Sequence, residues 1–334
     1  MRHPGTSRAR RSVAALLLLL AFASWSQEAR DEWRLRAPAP VVALRPERLE
    51  GLEGYACASC HAETAREWAA SAHGLAWVDE VYQSALQDKR RPQFCHGCHV
   101  PEPLLAQGDP PQRPKARDEA RDQGVSCEAC HLGEGGTILG PRGTPVEAHV
   151  SRQSEAMSAA GSIALCSACH GTNIGPVIGV AKDFEESDQA GRGRSCVGCH
   201  MAEVTRAFAA GDAPERTGRS HALQTPRDPT FLRRAFEVRW DESGVVIENR
   251  AGHRVPGLIG RVLSFRADLM DEAGAVVESV ELEIDASAYL PVDGSRVLPL
   301  TREGHAVRLV GEHVEPRSDG PVVFLEESLS MERR

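Results

Sequence analysis

Hydrophobic and polar positions follow two different patterns along the chain, and the pattern changes near residue 231. Before this point, short stretches free of Gly and Pro alternate with stretches rich in both, which predicts short helices joined by loops. After it, apolar residues alternate with polar ones, which is typical of strands with one buried face. We therefore predict a mainly α or irregular region followed by a small all-β region.

The helices predicted in the first region are short. Gly74 follows the first of them and is a common helix stop. The helices are predicted over Glu63–His73, Val78–Leu86 and Ser154–Ala160. Two stretches rich in Pro and Gly, Pro101–Pro114 and Gly133–Pro145, are predicted to be loops.

Runs of period two indicate the strands of the second region. The alternating apolar residues are Phe236, Val238 and Trp240, then Leu263, Phe265, Ala267 and Leu269, and then Val280, Leu282 and Ile284. Asp271–Gly274 is predicted to be a hairpin turn, and further strands are predicted near residues 305–310 and 321–326. About seven strands in roughly 100 residues predict an immunoglobulin-like β-sandwich.

All ten cysteines occur in Cys-x-x-Cys pairs, and a histidine directly follows every pair. The motifs begin 38, 32, 39 and 30 residues apart. A histidine follows a given cysteine by chance about 4% of the time, so five coincidences have odds on the order of one in ten million. The motifs, numbered 1 to 5 in chain order, are Cys57/Cys60/His61, Cys95/Cys98/His99, Cys127/Cys130/His131, Cys166/Cys169/His170 and Cys196/Cys199/His200.

This pattern is the attachment signature of c-type haem. Two thiols three residues apart add across the two vinyl groups, and the next residue places its imidazole on the iron as proximal ligand. A zinc ribbon needs two cysteine pairs per ion and no histidine after them, and a disulfide framework gives no reason for the histidines. The sequence therefore predicts five haem c groups in a pentahaem cytochrome c domain (51–230), followed by the β-sandwich-like domain (231–334).

The N-terminus has the features of an export signal. Four arginines precede an apolar run from Val13 to Ala23, which is short for a bilayer span and ends in a small-residue cleavage site. Residues 1–26 are therefore predicted to be a signal peptide and residues 27–50 a linker. Because haem is attached to c-type cytochromes outside the bacterial inner membrane, the protein is predicted to be periplasmic. An uncleaved segment that anchors it to the inner membrane, facing the periplasm, is the alternative.

The chain is acidic, with a formal net charge of −8. Removing residues 1–26, which contain four arginines and no acidic residue, changes this charge to −12. Negative charge argues against a nucleic-acid partner and favours docking on a basic patch of a redox partner protein. Quinol-oxidising membrane complexes and other cytochromes are the partner classes expected. Membrane association is expected only if the signal peptide is uncleaved.

A second axial ligand decides whether an iron can also bind a substrate. The candidate distal ligands are His73, His149, His221 and His253. A continuous helix from His61 to His73 would rise about 18 Å, whereas two axial nitrogens of one iron lie about 4 Å apart. His73 is therefore predicted to serve a different haem from His61. We expect His96, His305 and His313 at the surface, with Met157 as a further alternative ligand.

Several segments resemble the multihaem cytochromes c related to cytochrome c-554 and hydroxylamine oxidoreductase. They are Glu67–His73, Gly124–His131, Arg219–His221 and Gly252–Pro256, within a resemblance that spans residues 50–330. The resemblance implies that the four candidate histidines are distal ligands. The chain differs from the family's enzymes, since it has fewer motifs than the hydroxylamine oxidoreductases and no Cys-x-x-Cys-Lys. It also has Pro256-Gly257 where Pro-Thr-Gly is usual.

The resemblance implies an electron carrier that passes electrons between redox partners. Iron with two histidine ligands changes oxidation state but has no open position for a substrate. The alternative depends on the number of ligands, because four distal histidines serve five irons. One five-coordinate haem could then act on a small nitrogen or sulfur compound.

Overall fold

The structure is a computed structural model that describes residues 56–144, 146–173 and 179–330. The predicted signal peptide (1–26) and linker (27–50) lie outside these residues. The helices are α1 (Ala62–Ala70), α2 (Glu80–Gln87), α3 (Gln93–His99), α4 (Cys127–His131), α5 (Ser162–His170), α6 (Val180–Glu185), α7 (Asp188–Gly191), α8 (Cys196–His200) and α9 (Pro229–Arg233). Each helix in the described ranges is too short or too polar to cross a bilayer.

The first helix is shorter than predicted. α1 ends at Ala70, and the backbone of Ser71 is extended (φ −74°, ψ 162°). The Ser71 hydroxyl donates to the carbonyl oxygen of Trp68 (2.7 Å) and accepts from the amide of Gly74 (3.2 Å). Because serine side chains compete for backbone groups in this way, the chain turns here instead of continuing the helix. His73 therefore lies in a turn beyond α1.

The other predictions for the first region have mixed outcomes. α2 begins after Asp79, whose carboxylate accepts from the amide of Tyr82 (2.9 Å) as an N-cap. The helix predicted over Ser154–Ala160 is wrong, since only the 3-10 turn Glu155–Met157 forms there. The predicted loop Gly133–Pro145 contains a short strand, Ile138–Gly140, which pairs in parallel with Ser151–Gln153.

The predicted change to β-structure is confirmed. The strands are β1 (Ile138–Gly140), β2 (Ser151–Gln153), β3 (Glu203–Ala207), β4 (Glu215–Arg219), β5 (Phe236–Asp241), β6 (Gly244–Asn249), β7 (Val262–Met270), β8 (Val276–Ile284), β9 (Ser295–Leu298), β10 (Ala306–Val314) and β11 (Val322–Ser330). After α9, the strands form a sheet in the order β11-β10-β7-β8 and a second in the order β5-β6-β9.

One hydrophobic core lies between these two sheets. Its aromatic centre is formed by Phe236, Phe265 and Phe324, with ring centroids 5.3–5.6 Å apart. Among these seven strands the fourth, β8, pairs with the third, whereas constant-type immunoglobulin domains place the fourth strand beside the fifth. The β-rich region is thus confirmed, and the immunoglobulin-like assignment remains a prediction.

The first region buries its side chains in much smaller clusters. One contains Ala58, Ala65, Trp68 and Ala69, and another is centred on Leu104, Leu105, Leu165 and Ala168. Such clusters are thin for a region of this length, which is the pattern expected where large apolar cofactors replace side chains in the core.

Polar links join the two regions. The guanidinium of Arg254 donates to both carboxylate oxygens of Asp183 (2.5 and 2.7 Å). The guanidinium of Arg317 makes the same kind of contact with Asp79 (2.5 and 2.7 Å). Two-point Arg–carboxylate contacts fix orientation as well as distance, so the β-region has a defined position on the motif-bearing region.

Candidate haem-binding site

Each motif folds as about one helical turn. α3, α4, α5 and α8 all end at the histidine of a motif. In the first motif, the amide of His61 donates to the carbonyl oxygen of Cys57 (2.9 Å), which is the same helical spacing. Residues three and four apart lie on one side of a helix, so each turn presents both thiols and the imidazole together.

Cys60 differs from the other predicted attachment residues in its exposure. The remaining nine cysteines are half-buried, which suits thiols that attach an enclosed cofactor, whereas Cys60 is exposed. Motif 1 forms a turn directly before α1. Among the described residues, the polar contact of the Cys60 sulfur is the neighbouring Ser59 hydroxyl, at 3.9 Å. Covalent attachment stays a prediction for all ten cysteines, and Cys60 is the most exposed of the predicted attachment residues.

The structure bears on the two alternatives to haem attachment. All ten cysteines are free thiols, so none forms a disulfide. Within the described ranges, no three His, Cys, Asp or Glu side chains gather around a common point as they would around a metal ion. The donor set that is present, two thiols and one imidazole per motif, matches the needs of covalent haem.

Four of the motif histidines are oriented by the backbone. Their Nδ1 atoms contact carbonyl oxygens at 2.6–2.8 Å, so Nδ1 carries the proton and Nε2 keeps its lone pair for a metal. The pairs are His61 with Phe208, His99 with Ala76, His131 with Leu139 and His200 with Gln224.

The four candidate distal histidines each face a motif histidine. The ring centroids are 6.1–6.5 Å apart. An iron between two imidazoles sets their centres about 6 Å apart, since each metal–nitrogen bond is about 2 Å and each ring adds about 1 Å. The pairs are His61 with His149, His73 with His170, His131 with His221 and His200 with His253.

The structure places His73 opposite a motif other than its own. Its ring faces His170, which lies almost 100 residues later in the chain (6.2 Å, 32°). The continuous helix from His61 to His73 does not form, because the helix ends at Ala70, but His73 still serves a motif other than its own. The first motif receives His149 instead, from the segment before β2.

Three of the distal histidines also bind a hydrogen-bond partner through Nδ1. His149 contacts the hydroxyl of Ser151 (3.0 Å), His221 the carbonyl oxygen of Arg219 (3.1 Å) and His253 that of Arg254 (2.9 Å). A local partner on Nδ1 leaves Nε2 to face the opposite ring, as in the motif histidines.

Burial lowers the pKa of seven of the motif and distal histidines. It lowers the pKa of His73 to about 3, with a further contribution from His170. It lowers the pKa of His221 to about 4, with a further contribution from His131. Burial also lowers the pKa of His99, His131, His170, His200 and His253. Neutral imidazole is the form that binds a metal.

His99 of the second motif is in a different environment. Its ring stacks on Tyr82 with a centroid separation of 3.6 Å and an angle of 6°, which is van der Waals contact. The other four motif histidines each face a second histidine ring. In the part of the chain that the structure describes, no histidine ring faces His99 in this way. The Tyr82 hydroxyl is buried without a hydrogen-bond partner among the described residues, and burial raises its pKa.

The three other described histidines differ in how exposed they are. His305 is exposed, as predicted. His96, expected to face solvent, packs against Trp77 at 5.1 Å, and burial lowers its pKa. The expectation for His313 is wrong, because it points inward from β10 and is only 4% exposed. Met157 packs on the apolar cluster around Leu165.

Two ion pairs hold distal histidines, and sequence reasoning did not single them out. Glu67 accepts the amide of His221 (2.8 Å) and two bonds from Arg206 (2.7 and 2.8 Å). Asp183 accepts the amide and the guanidinium of Arg254, the residue after His253. Glu67 lies in a family-like segment, which was the available signal, whereas Asp183 carried none.

Thiol contacts between motifs give the order in which the motifs neighbour one another. Cys57 of motif 1 and Cys127 of motif 3 lie close enough to shift one another's pKa, and motif 4 has the same relation with motif 2 (Cys169 and Cys98) and with motif 5 (Cys166 and Cys196). Cys130 of motif 3 lies close enough to act electrostatically on both cysteines of motif 4. The motifs therefore form the row 1-3-4, with motifs 2 and 5 both adjoining motif 4.

Comparison with known proteins agrees with this geometry. Residues 56–132, which contain the first three motifs, match the family model described as cytochrome c554 and c-prime. The fold is similar to the crystal structure of a penta-haem cytochrome c552 from Thermochromatium tepidum, with a TM-score of 0.53 and 17% identity. That match covers 88% of this chain and 100% of the other. No curated protein is similar enough to count as a match.

The fold and the motifs define a cytochrome of the c type, which binds haem c and transfers electrons. More particularly, the family match over residues 56–132 and the similarity of fold support a multihaem cytochrome c with a C-terminal β-rich region, as the resemblance noted from the sequence predicted.

Proposed function

We propose that the protein is a periplasmic cytochrome that carries five haem c groups and passes electrons between redox partner proteins. The observation that carries this proposal is the set of four facing imidazole pairs at 6.1–6.5 Å, each containing one motif histidine. Five complete Cys-x-x-Cys-His motifs and the penta-haem character of the similar Thermochromatium tepidum protein support the number five.

Haem c supplies reversible one-electron chemistry when it is bound. The residues of this chain determine how it is held. Motif thiols provide covalent attachment, and carbonyl oxygens orient the proximal imidazoles. At four motifs a second imidazole faces the motif histidine, so a haem bound there would be held by two histidines and would leave no position for a substrate.

Location and partners are supported by the sequence. Basic residues followed by a short apolar run at the N-terminus favour export, with an anchored form as the alternative. Other cytochromes and quinol-oxidising membrane complexes are the partner classes that suit such a carrier. Cell fractionation with haem staining tests the location, because a periplasmic carrier appears in the osmotic-shock fraction and an anchored one in the membrane fraction.

The β-domain has the features expected of an immunoglobulin-like sandwich with a modified strand order. Its two sheets share one core, and its fourth strand joins the sheet of the third. The loop between β6 and β7 brings His253 to His200. We infer that the domain supplies one distal ligand and thereby fixes its own position on the haem-bearing region.

A second candidate function is favoured by the second motif. His99 stacks on Tyr82 rather than facing an imidazole, and Trp77, His96 and Arg121 group beside it. An iron held there by His99 alone would be five-coordinate. Such a haem could act as an oxidoreductase on a small nitrogen or sulfur compound such as nitrite, hydroxylamine or a sulfur oxyanion.

Low-temperature EPR of the oxidised holoprotein, combined with carbon monoxide binding to the reduced form, separates the two functions. A pyridine haemochrome assay first gives the number of haems per chain, which we expect to be five. If all haems are low-spin and carbon monoxide leaves the spectrum unchanged, the protein is a carrier alone. One high-spin haem that binds carbon monoxide supports the second function, and substrates are then tested on it.

A further inference from the structure

We propose that an exposed basic collar around the second motif is the docking surface for an acidic redox protein. The collar consists of Lys89, Arg90, Arg91, Arg113 and Lys115. The inference rests on the proposed electron-carrier function, and it identifies where one partner binds and what charge that partner has.

Two chain segments place these residues beside the second motif. Lys89–Arg91 connect α2 to α3, the helix that contains both cysteines of the motif. Lys89 acts electrostatically on the Cys95 thiol, opposing the rise in pKa that burial causes. Arg113 and Lys115 flank Pro114, and the carbonyl oxygen of Pro114 lies against Gly97, a residue between Cys95 and Cys98 in α3. The approach is so close that a Cβ atom added to Gly97 would lie 2.1 Å from this oxygen.

The collar charges are not used to stabilise the fold. All five side chains are exposed, and none forms an ion pair with the described residues. Other arginines of this region do pair, as Arg206 does with Glu67. Among the described residues, Asp88 is adjacent to the collar in the sequence and Glu102 is joined to Lys115 by a backbone hydrogen bond. Asp109, Asp118 and Glu119 are exposed within four residues of it, and Asp118 is paired with Arg121. The collar thus offers a partner five exposed basic side chains on a chain whose net charge is −8.

An exposed aromatic residue lies within the collar. Phe94 directly precedes Cys95 and is 57% exposed, although an aromatic ring of this size is normally buried. Protein interfaces combine an apolar or aromatic centre with a charged rim, and Phe94 with the collar has that composition.

The second motif lies at the end of a branch. Its contact with the other motifs, within the described residues, is the one between Cys98 and Cys169 of motif 4. A partner that docks on the collar would therefore meet motif 2, at the end of a branch that leads to motif 4. An anionic lipid surface has the same charge, but the position of the collar around a redox motif favours an acidic protein.

Stopped-flow reduction of the holoprotein by an acidic flavodoxin hydroquinone tests the proposal. Arg90→Gln/Arg91→Gln removes two collar charges. The matched control Arg296→Gln/Arg302→Gln removes two exposed arginines of the β-domain, which hydrogen-bond to backbone carbonyls. Each protein is measured at low and at physiological ionic strength, and oxidation by a basic mitochondrial-type cytochrome c serves as the probe of opposite charge.

We expect the wild-type rate constant with flavodoxin to fall about tenfold or more between low and physiological ionic strength. The collar variant should be slower by about three- to tenfold at low ionic strength. The control variant should stay within about 1.5-fold of the wild type. Oxidation by the basic cytochrome c should not slow in either variant.

An unchanged rate in the collar variant, or an equal loss in the control, overturns the proposal. So does collar-dependent co-sedimentation with phosphatidylserine vesicles together with flavodoxin rates that do not depend on salt, which would assign the collar to lipid. If dithionite reduces the haems but flavodoxin does not, the proposed docking surface is wrong, whereas the proposed electron-carrier function is not contradicted. Failure of dithionite to reduce them would instead contradict the proposed function itself.

Discussion

At the scale of single residues, the environment of each imidazole decides whether it can bind iron. In His200, for example, Nδ1 contacts the carbonyl oxygen of Gln224. The facing ring of His253 lies 6.4 Å away, which is the distance expected for two imidazoles that share one iron. His305 has the same side chain but is exposed. The difference between a ligand and a surface histidine therefore lies in its contacts and not in its residue type.

Replacing one distal histidine should change one haem. In His221→Ala, we expect about one additional high-spin haem by EPR and a new carbon monoxide adduct, because the position opposite His131 opens. His305→Ala is the matched control and should leave the spectrum as in the wild type. His221→Met should stay low-spin with a raised reduction potential, which guards against misfolding of the alanine variant. An alanine variant with the wild-type spectrum would contradict the assignment.

The ion pair beside His253 should hold that ligand in place. Asp183 binds both the amide and the guanidinium of Arg254, and the side chains are 13% and 30% exposed. In Asp183→Asn we expect a partial high-spin signal and a loss of about 1 kcal/mol in the free energy of unfolding. Asp188→Asn removes an exposed carboxylate 3.9 Å from Arg192 and is the control. Equal spectra and equal stability in both variants would show that the pair has no positioning role.

At the scale of elements, the motif turns depend on close backbone contacts. Pro114 lies against Gly97, where a Cβ atom has no space. The sequence indicates the motif but not this neighbour, because Pro114 belongs to a stretch predicted only as a loop. Likewise, the turn after α1 depends on Ser71 and Trp68, and the absence of Gly and Pro from residues 63–73 gave no sign of it.

A methyl group at Gly97 tests this close approach. Gly97→Ala should destabilise the holoprotein by about 1–3 kcal/mol in chemical denaturation, because the loop or α3 must shift. Gly320→Ala is the control, since no atom lies within 4 Å of its added Cβ. If both variants unfold at the same denaturant concentration, the contact between Gly97 and Pro114 does not constrain the motif.

At the scale of the whole molecule, polar links hold the β-domain against the haem-bearing region. Although burial raises the pKa of Asp79, hydrogen bonds from Arg317 and from the amide of Tyr82 lower it more, so the net shift is below the usual 3.8. A carboxyl group with a lowered folded-state pKa contributes stability above its unfolded-state pKa, and this stability is lost as the pH falls through the folded-state value.

The ion pair between Asp79 and Arg317 should therefore stop contributing to stability only at acidic pH. Arg317→Gln should melt about 1–3 °C below the wild type at neutral pH, and this gap should close as the pH falls below about 4. Calorimetry of both proteins across this range measures the gap. Arg296→Gln, on the same domain, removes hydrogen bonds to backbone carbonyl oxygens that do not titrate, so any gap it shows should stay constant across this pH range. A gap in Arg317→Gln that persists unchanged at the lowest pH would mean that the ion pair is not its cause.

Net charge and local charge lead to different partners. The net charge of −8 favours a basic patch on the partner, whereas the collar around the second motif favours an acidic one. The two can coexist, since a carrier needs both a donor and an acceptor. Net charge is read from composition, but Arg113 and Lys115 join Lys89–Arg91 in the collar only because the loop around Pro114 lies against α3.

The sequence by itself determined the cofactor class, because attaching haem needs two thiols and an imidazole within one helical turn, and this spacing is visible in the chain. It also determined the change to β-structure, since strands with one buried face require period two. The tertiary structure alone decided which histidine faces which motif. His73 meets His170 and His149 meets His61 across long sequence separations, and such pairing depends on how the turns pack rather than on local spacing. For the same reason, the exposure of Cys60, the contact of His99 with Tyr82 and the neighbours of each motif could be found only in the folded chain.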